Sequence, residues 1–262
     1  MGTQYRGESM QPVVRTKTDR WRSPLSASLL QLLEALRCGQ ISRIDYQKSL
    51  LELLGREGLE EALAPEIAEA MASHAQLELL RRHVNECRHT VLLYRVDESE
   101  AHPPHEHFNM ISTQVVVRGS IHLREYQRVD REDGDHVRMR LVRDALLGPG
   151  DVFEASEWER NVHWFSAEGG PALIFNINAR GYEPSTFPNA HEPGFGRLYV
   201  DPTRYDHEGL VHGEEISPQV AKERFGMRPL SAFPVPEKAL TRTETGGTTL
   251  CLKQTRVPLQ VL

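Results

Sequence analysis

The spacing of apolar positions changes its period once along this chain. From Ser26 to about Arg82 the period is helical: Leu29, Leu30, Leu33 and Leu36 form one stripe, Ser26 or Ser28 can cap it, and Gly39 stands just past its end. A second stripe, Ile44, Leu50, Leu51 and Leu54, starts behind Ser42 and stops at Gly55. Leu59 to Ala72 reads as two short helical pieces broken at Pro65, and Ala75 to His83 as a closing helix. Beyond this point apolar and polar residues alternate. Segments 90–96, 111–117, 121–127, 137–142, 152–155, 162–165 and 172–177 each read as a strand bounded by turn residues. Asp133-Gly134 suits a hairpin turn, and the charged run around it, Asp130 to Asp135, reads as a solvated tip.

Many short strands between turn signals predict an all-β sandwich or barrel behind an α-helical N-terminal region. The expected organisation is a disordered leader over 1–24, a helical region over 25–86, a barrel over 87–202 and a C-terminal extension over 203–262 that packs on the barrel. That extension holds a short helix from Ser217-Pro218, a Pro-rich connector from Pro229 to Pro236, and two late strands, 248–252 and 257–262. The chain has 262 residues, 39% hydrophobic and 26% charged, with a net charge of -6, which is ordinary for a soluble globular protein. A mild negative charge argues against a nucleic-acid platform, and no apolar run is long enough to span a membrane. Cys38, Cys87 and Cys251 are scattered and form no disulfide framework, which points to a reducing, cytoplasmic setting.

Candidate chemistry centres on His102-Pro103-Pro104-His105-Glu106-His107. A His-x-His pair on a strand projects both rings to one face, and His163, on a strand that can face them, would complete a three-nitrogen metal site. Such a site keeps open positions for substrate. His102 reads as a rim residue and Glu106 as an outward-facing surface group. By the same alternation Gln114 shares a face with Ser112, and Gln114, Asn176 and Asn178 would be uncharged groups that orient a ligand. His191, His207 and His212 lack ligand spacing and read as surface histidines. Geometry alone leaves iron, zinc, nickel and manganese open.

His105-x-His107, Ser112 and Gly119, followed by Pro149-Gly150-Asp151 and His163, form a two-block layout that resembles the cupin superfamily. The resemblance implies a double-stranded β-helix (jelly-roll) barrel. Pro104-His105-Glu106-His107, Asn161-Val162-His163, Gly170-Pro171-Ala172 and Gly181-Tyr182 narrow it to the three-histidine thiol dioxygenases, the cysteine and cysteamine dioxygenases and plant cysteine oxidases. That likeness implies Fe2+ on His105, His107 and His163, with Zn2+, Ni2+ or Mn2+ as alternatives, and a small thiol and O2 as partners. Ser112, Gln114, Asn176 and Asn178 would line the substrate pocket, and a homodimer is possible in such proteins. The sequence departs from the cysteine dioxygenases: Asn176 and Asn178 stand where those enzymes carry a histidine and a tyrosine. Ser112 and Asn178 also rule out their sulfur–tyrosine crosslink. No motif chooses among Arg81, Arg88 and Arg95 for a carboxylate-binding arginine. A lyase, isomerase or hydrolase, or a non-catalytic small-molecule binder, stays open beside the dioxygenase.

Overall fold

The computed structural model describes residues 14–16, 21, 23–56, 58–73, 76–84, 87–98, 100–131, 136–182 and 197–240. A short strand, β1 (Val14–Thr16), precedes four helices: α1 (Pro24–Arg37), α2 (Arg43–Arg56), α3 (Leu59–Ala62) and α4 (Ala64–Ser73). Ser23 caps α1, one turn earlier than the sequence predicts. Its hydroxyl accepts the Ser26 N–H, the Ser26 hydroxyl accepts the Ser23 N–H, and Pro24 fills a position that needs no donor. The break in the third helical stretch falls at Leu63, with Pro65 in the first turn of α4.

Two expectations for the N-terminal part are corrected. Gln76–Val84 is a strand, β2, and not a closing helix. It pairs with β3 (Cys87–Val96), so ladder hydrogen bonds and burial of Leu77, Leu79 and Leu80 override the local helical pattern. Part of the leader expected to be disordered is also built into the fold. Val14–Thr16 pairs in parallel with β2, and Trp21 is buried edge-on against Phe175.

The remaining strands are β4 (Ala101–His107), β5 (Met110–Arg118), β6 (Ile121–Arg131), β7 (His136–Leu147), β8 (Val152–Ser156), β9 (Val162–Ala167), β10 (Ala172–Arg180), β11 (Arg197–Asp201) and β12 (Val211–Ile216). The hairpin tip predicted at Asp133-Gly134 and the two late strands lie outside the described residues. Helix α5 (Pro218–Phe225), a 3-10 turn (Leu230–Ala232) and α6 (Glu237–Leu240) follow. One sheet runs β1-β2-β3-β10-β5-β8, and the other contains β7-β6-β9-β4. Apart from the β6–β7 hairpin, strands β3 to β10 alternate between the two sheets in jelly-roll order, the double-stranded β-helix of a cupin barrel.

Each sheet face has its own partner. Leu93, Val115, Phe175 and Ile177 turn outward from the first sheet and pack against Leu25, Leu29, Leu33 and Leu50 of the helices. Burying each such side chain contributes roughly 1.5–3 kcal/mol, which fixes the helices on that face. Val116, Ile121, Leu123, Phe153, Phe165 and Ile174 fill one end of the space between the sheets. On the far face of the second sheet, β11 and β12 bridge from β4 to β7 and close a six-stranded ring. Tyr126, Val137, Met139, Leu141, Val162, Val200 and Val211 form its core. No helix among the described residues is long and apolar enough to cross a membrane.

The β5–β6 turn tests this packing. Gly119 has φ +73, and a Cβ there would lie 2.3 Å from the Pro171 carbonyl oxygen. Gly119→Ala is expected to destabilise the protein by more than about 2 kcal/mol, read as a lower Tm in thermal unfolding. An unchanged Tm would mean that the turn is not held as described.

Candidate metal centre

The three histidines meet because β4 and β9 are hydrogen-bonded neighbours. His105 lies directly opposite His163, and the His107 N–H donates to the Asn161 carbonyl at 3.0 Å. A strict alternation would put His102 and His105 on opposite faces. Pro103 and Pro104 cannot both serve the ladder, and the register shifts between His102 and His105. The irregularity turns His102 inward as well. Its ring centroid lies 4.7 Å from that of His105 and 4.9 Å from that of Phe165. His102 is thus a wall of the site and not a rim residue.

His105, His107 and His163 are buried, and each offers a ring nitrogen within 4.8 Å of the others. The Nε2 atoms of His107 and His163 are 3.4 Å apart. Two ligands held about 2.1 Å from one ion at tetrahedral to octahedral angles would be separated by roughly 3.0–3.4 Å, so the spacing fits a shared ion. The His105 tautomer is set from outside. Nδ1 lies 2.9 Å from the Pro103 carbonyl, which can only accept, so Nδ1 carries the proton. This leaves Nε2 as a bare lone pair, buried and without a partner. Burial, reinforced by the neighbouring rings and Arg197, pushes all three histidines well below their usual range. Each imidazole is neutral at pH 7 and ready to bind a metal. The residues present fit a divalent ion.

The first sheet supplies the facing wall. Asn176 lies opposite Gln114, and Asn178 opposite Ser112, so the four candidate pocket residues share the inner face. The Ser112 hydroxyl donates to Asn176 Oδ1 at 3.3 Å. The Asn178 amide donates to the Thr90 hydroxyl at 3.4 Å, and its Oδ1 has no partner. Tyr94, which the sequence reading missed, stands on the same face and donates its hydroxyl to Gln114 Oε1 at 2.7 Å. A tyrosine and a histidine therefore do face the site, but from β3 and β4, where the motif offers no signal for them.

Glu106, expected at the surface, is fully buried and paired with Arg128. It does point away from the histidines, but the ring closed by β11 and β12 covers that face. Glu125 was also missed, because its sequence context reads as a solvated strand. It lies opposite His163 on β6 and is fully buried, with Oε2 3.4 Å from Arg143 and Oε1 without a partner. Burial raises its pKa against the opposing pull of Arg160 and Arg143. Of the arginine candidates, Arg81 pairs with Glu78, and Arg95 pairs with Asp97 and donates to Met71 on the helical side. Arg88 alone shares the inner face, opposite Arg180. His207 and His212 stay away from the site beside Glu208 and Asp206, and His191 lies outside the described residues.

No known family profile and no curated protein matches the chain. Solved structures similar to it include KdgF from Halomonas sp., 17% identical with a TM-score of 0.29 over 41% of this chain and 78% of that one. A cupin superfamily protein from Desulfitobacterium hafniense DCB-2 is 12% identical, with a TM-score of 0.26 over 40% and 78%. The L-ribose isomerase of Cellulomonas parahominis, solved with L-psicose, is 15% identical with a TM-score of 0.33 over 48% and 68%. The fold assignment rests on the strand order itself, and the chemistry on the residues. Barrel and histidine cluster together fit a metallocupin.

Two measurements check the cradle. The protein is expected to bind one equivalent of Co2+, and His163→Ala to weaken binding by more than about 100-fold with the circular dichroism spectrum unchanged. Unaltered affinity would place the ion elsewhere. The second is pH dependence without metal. His89 is held at about 4 and His102 at about 3, mainly by burial, and the cradle histidines are also depressed. Below pH 6.5 the unfolded chain takes up protons that the folded state refuses, so stability falls as pH drops, by about 1.4 kcal/mol per pH unit for each such group. The Tm of the metal-free protein should therefore fall steadily from pH 7 to pH 5. A flat profile would contradict the burial of these rings.

Proposed function

We propose that this protein is a mononuclear iron(II) dioxygenase acting on a small thiol. The observation that carries the reading is a cradle of three neutral imidazoles with no carboxylate among them. Many cupins, which the two histidine blocks resemble, carry a metal-binding glutamate at the position of Ser112, and this chain has no charge there. An ion held only by neutral donors keeps its full double charge and several open positions, which favours an anionic thiolate ligand. When bound, iron(II) would supply the redox chemistry by which a thiol and O2 combine to a sulfinic acid. The chain's own residues do the rest. Phe153 and Phe165 exclude water beside His163. Tyr94, Gln114 and Asn176 present a connected set of hydrogen-bonding groups that can orient the substrate.

A second reading has one observation in its favour. The buried Glu125 carboxyl, with an unpartnered oxygen beside His163, suits proton transfer in a metal-assisted lyase or isomerase. The two separate in one experiment. Protein purified without a His-tag is assayed for metal, loaded with iron(II), and tested in an oxygen electrode with cysteine, cysteamine and 3-mercaptopropionate. One O2 consumed per thiol, with a product heavier by two oxygen atoms, is expected, and Glu125→Gln should retain most of it. Full iron loading without thiol-dependent uptake would sink the dioxygenase and leave the proton-transfer reading.

A further inference from the structure

The cradle histidines differ in what holds them from behind. A histidine that binds an ion through Nε2 carries its proton on Nδ1, and that buried N–H needs an acceptor. For His105 the Pro103 carbonyl is the acceptor, at 2.9 Å. His163 turns its Nε2 toward His107 Nε2, and its Nδ1 is buried without a partner. Its strand neighbours limit what can serve it. The residue opposite it is His105 on β4 and Glu125 on β6. Along β9 the neighbours on the same face are Phe165, whose ring has no acceptor atom, and Asn161. The Asn161 side-chain oxygen is already taken, accepting the Arg128 N–H at 2.8 Å and Gln127 Nε2 at 3.0 Å.

Glu125 presents the complementary orphan. Its side chain is fully buried, Oε2 stands a long 3.4 Å from Arg143, and Oε1 has no partner. Arg143 lies on β7, across β6 from His163, and also donates to the Val152 carbonyl on the first sheet. The carboxyl is thus tethered on the side away from His163. Directly opposed residues on neighbouring strands carry their Cβ atoms about 4.5–5.5 Å apart, a gap that a glutamate side chain spans. An unpaired donor and an unpaired acceptor buried side by side each cost stability, and one hydrogen bond between them removes both penalties. We propose that Glu125 is a positioning residue of the metal centre: its Oε1 accepts the His163 Nδ1–H and, with Arg143 behind it, fixes the ring so that Nε2 faces the ion. A carboxyl that accepts this proton also makes the imidazole a stronger donor to the metal. The inference rests on the metal centre, and it gives the buried Glu125 oxygen a use other than proton transfer to substrate.

Metal affinity and the ring proton test this together. Co2+ is titrated into the wild type, Glu125→Leu and Glu125→Gln, and zinc-loaded protein with isotopically labelled histidine reports the His163 Nδ1–H by NMR. Glu125→Leu is expected to bind Co2+ at least about 10-fold more weakly. Glu125→Gln, which keeps an acceptor oxygen, should recover part of that loss with the circular dichroism spectrum unchanged. The His163 Nδ1 proton should be strongly deshielded in the wild type and move upfield in Glu125→Gln, a change that a residue merely filling space does not cause. Wild-type affinity in Glu125→Leu, or an unmoved proton signal in Glu125→Gln, overturns the proposal. If Glu125→Leu fails to fold, Glu125→Gln decides through the proton signal. A wild type that binds no ion removes the centre and the proposal with it. A bound ion and the expected proton signal, without thiol-dependent oxygen uptake, remove the dioxygenase reading alone and leave Glu125 in its place behind His163.

Discussion

Everything in this barrel is arranged around imidazole nitrogens withdrawn from water. His105 Nε2 and the Nδ1 atoms of His102, His107 and His163 are buried without partners among the described residues. Each such atom costs about 1–3 kcal/mol unless something binds it. Together these costs rival the whole stability of a typical domain, about 5–15 kcal/mol. Hydrophobic filling of the same positions would give a more stable empty barrel. Of these atoms His105 Nε2 would gain a partner from an ion shared with the Nε2 atoms of His107 and His163, and to that extent folding and metal affinity are linked.

Holding three rings in this geometry requires a rigid sheet, and the chain supplies it from both sides. On one face of β9, His163 and Phe165 turn toward the first sheet. On the other, Val162 enters the ring core and Trp164 packs against Phe225 and Phe233. The C-terminal elements therefore clamp the ligand strands from behind. The Glu106–Arg128 pair belongs to the same clamp. Arg128 also donates to the Glu157 carbonyl at 3.0 Å, and the Glu157 carboxylate accepts the Asn109 N–H at 2.7 Å. These contacts tie the end of β4 to the β8–β9 turn, so the backbone carrying His105 and His107 is fixed by partners outside the site.

The parts of this design that were legible in the sequence are those written in local period or fixed spacing. The α1 stripe, the alternating strands and the two histidine blocks could be read because each depends on residues a few positions apart. Gly119 was legible for the same reason, since a tight turn with positive φ demands it. What stayed hidden depends on partners far along the chain. Gln76–Val84 looks helical until β3 is there to pair with it. Glu106 looks like a surface residue until β11, some ninety positions later, covers its face. Tyr94, Glu125 and Arg197 enter the site through register alone, and register between distant strands leaves no mark on local sequence.

The same reasoning explains why the site has a direction. Strand alternation gives each inward position one depth in the barrel, so chemistry can be layered. Val116, Gln114 and Ser112 descend one strand, Ile174, Asn176, Asn178 and Arg180 the next, and Phe165 and His163 face them. The inward positions change from apolar to polar along both sheets. A metal among neutral ligands at mid-depth attracts an anion from one side only, because the apolar floor closes the other. Orientation of the bound molecule then follows from electrostatics and depth, before any hydrogen bond to Tyr94 or Gln114 forms.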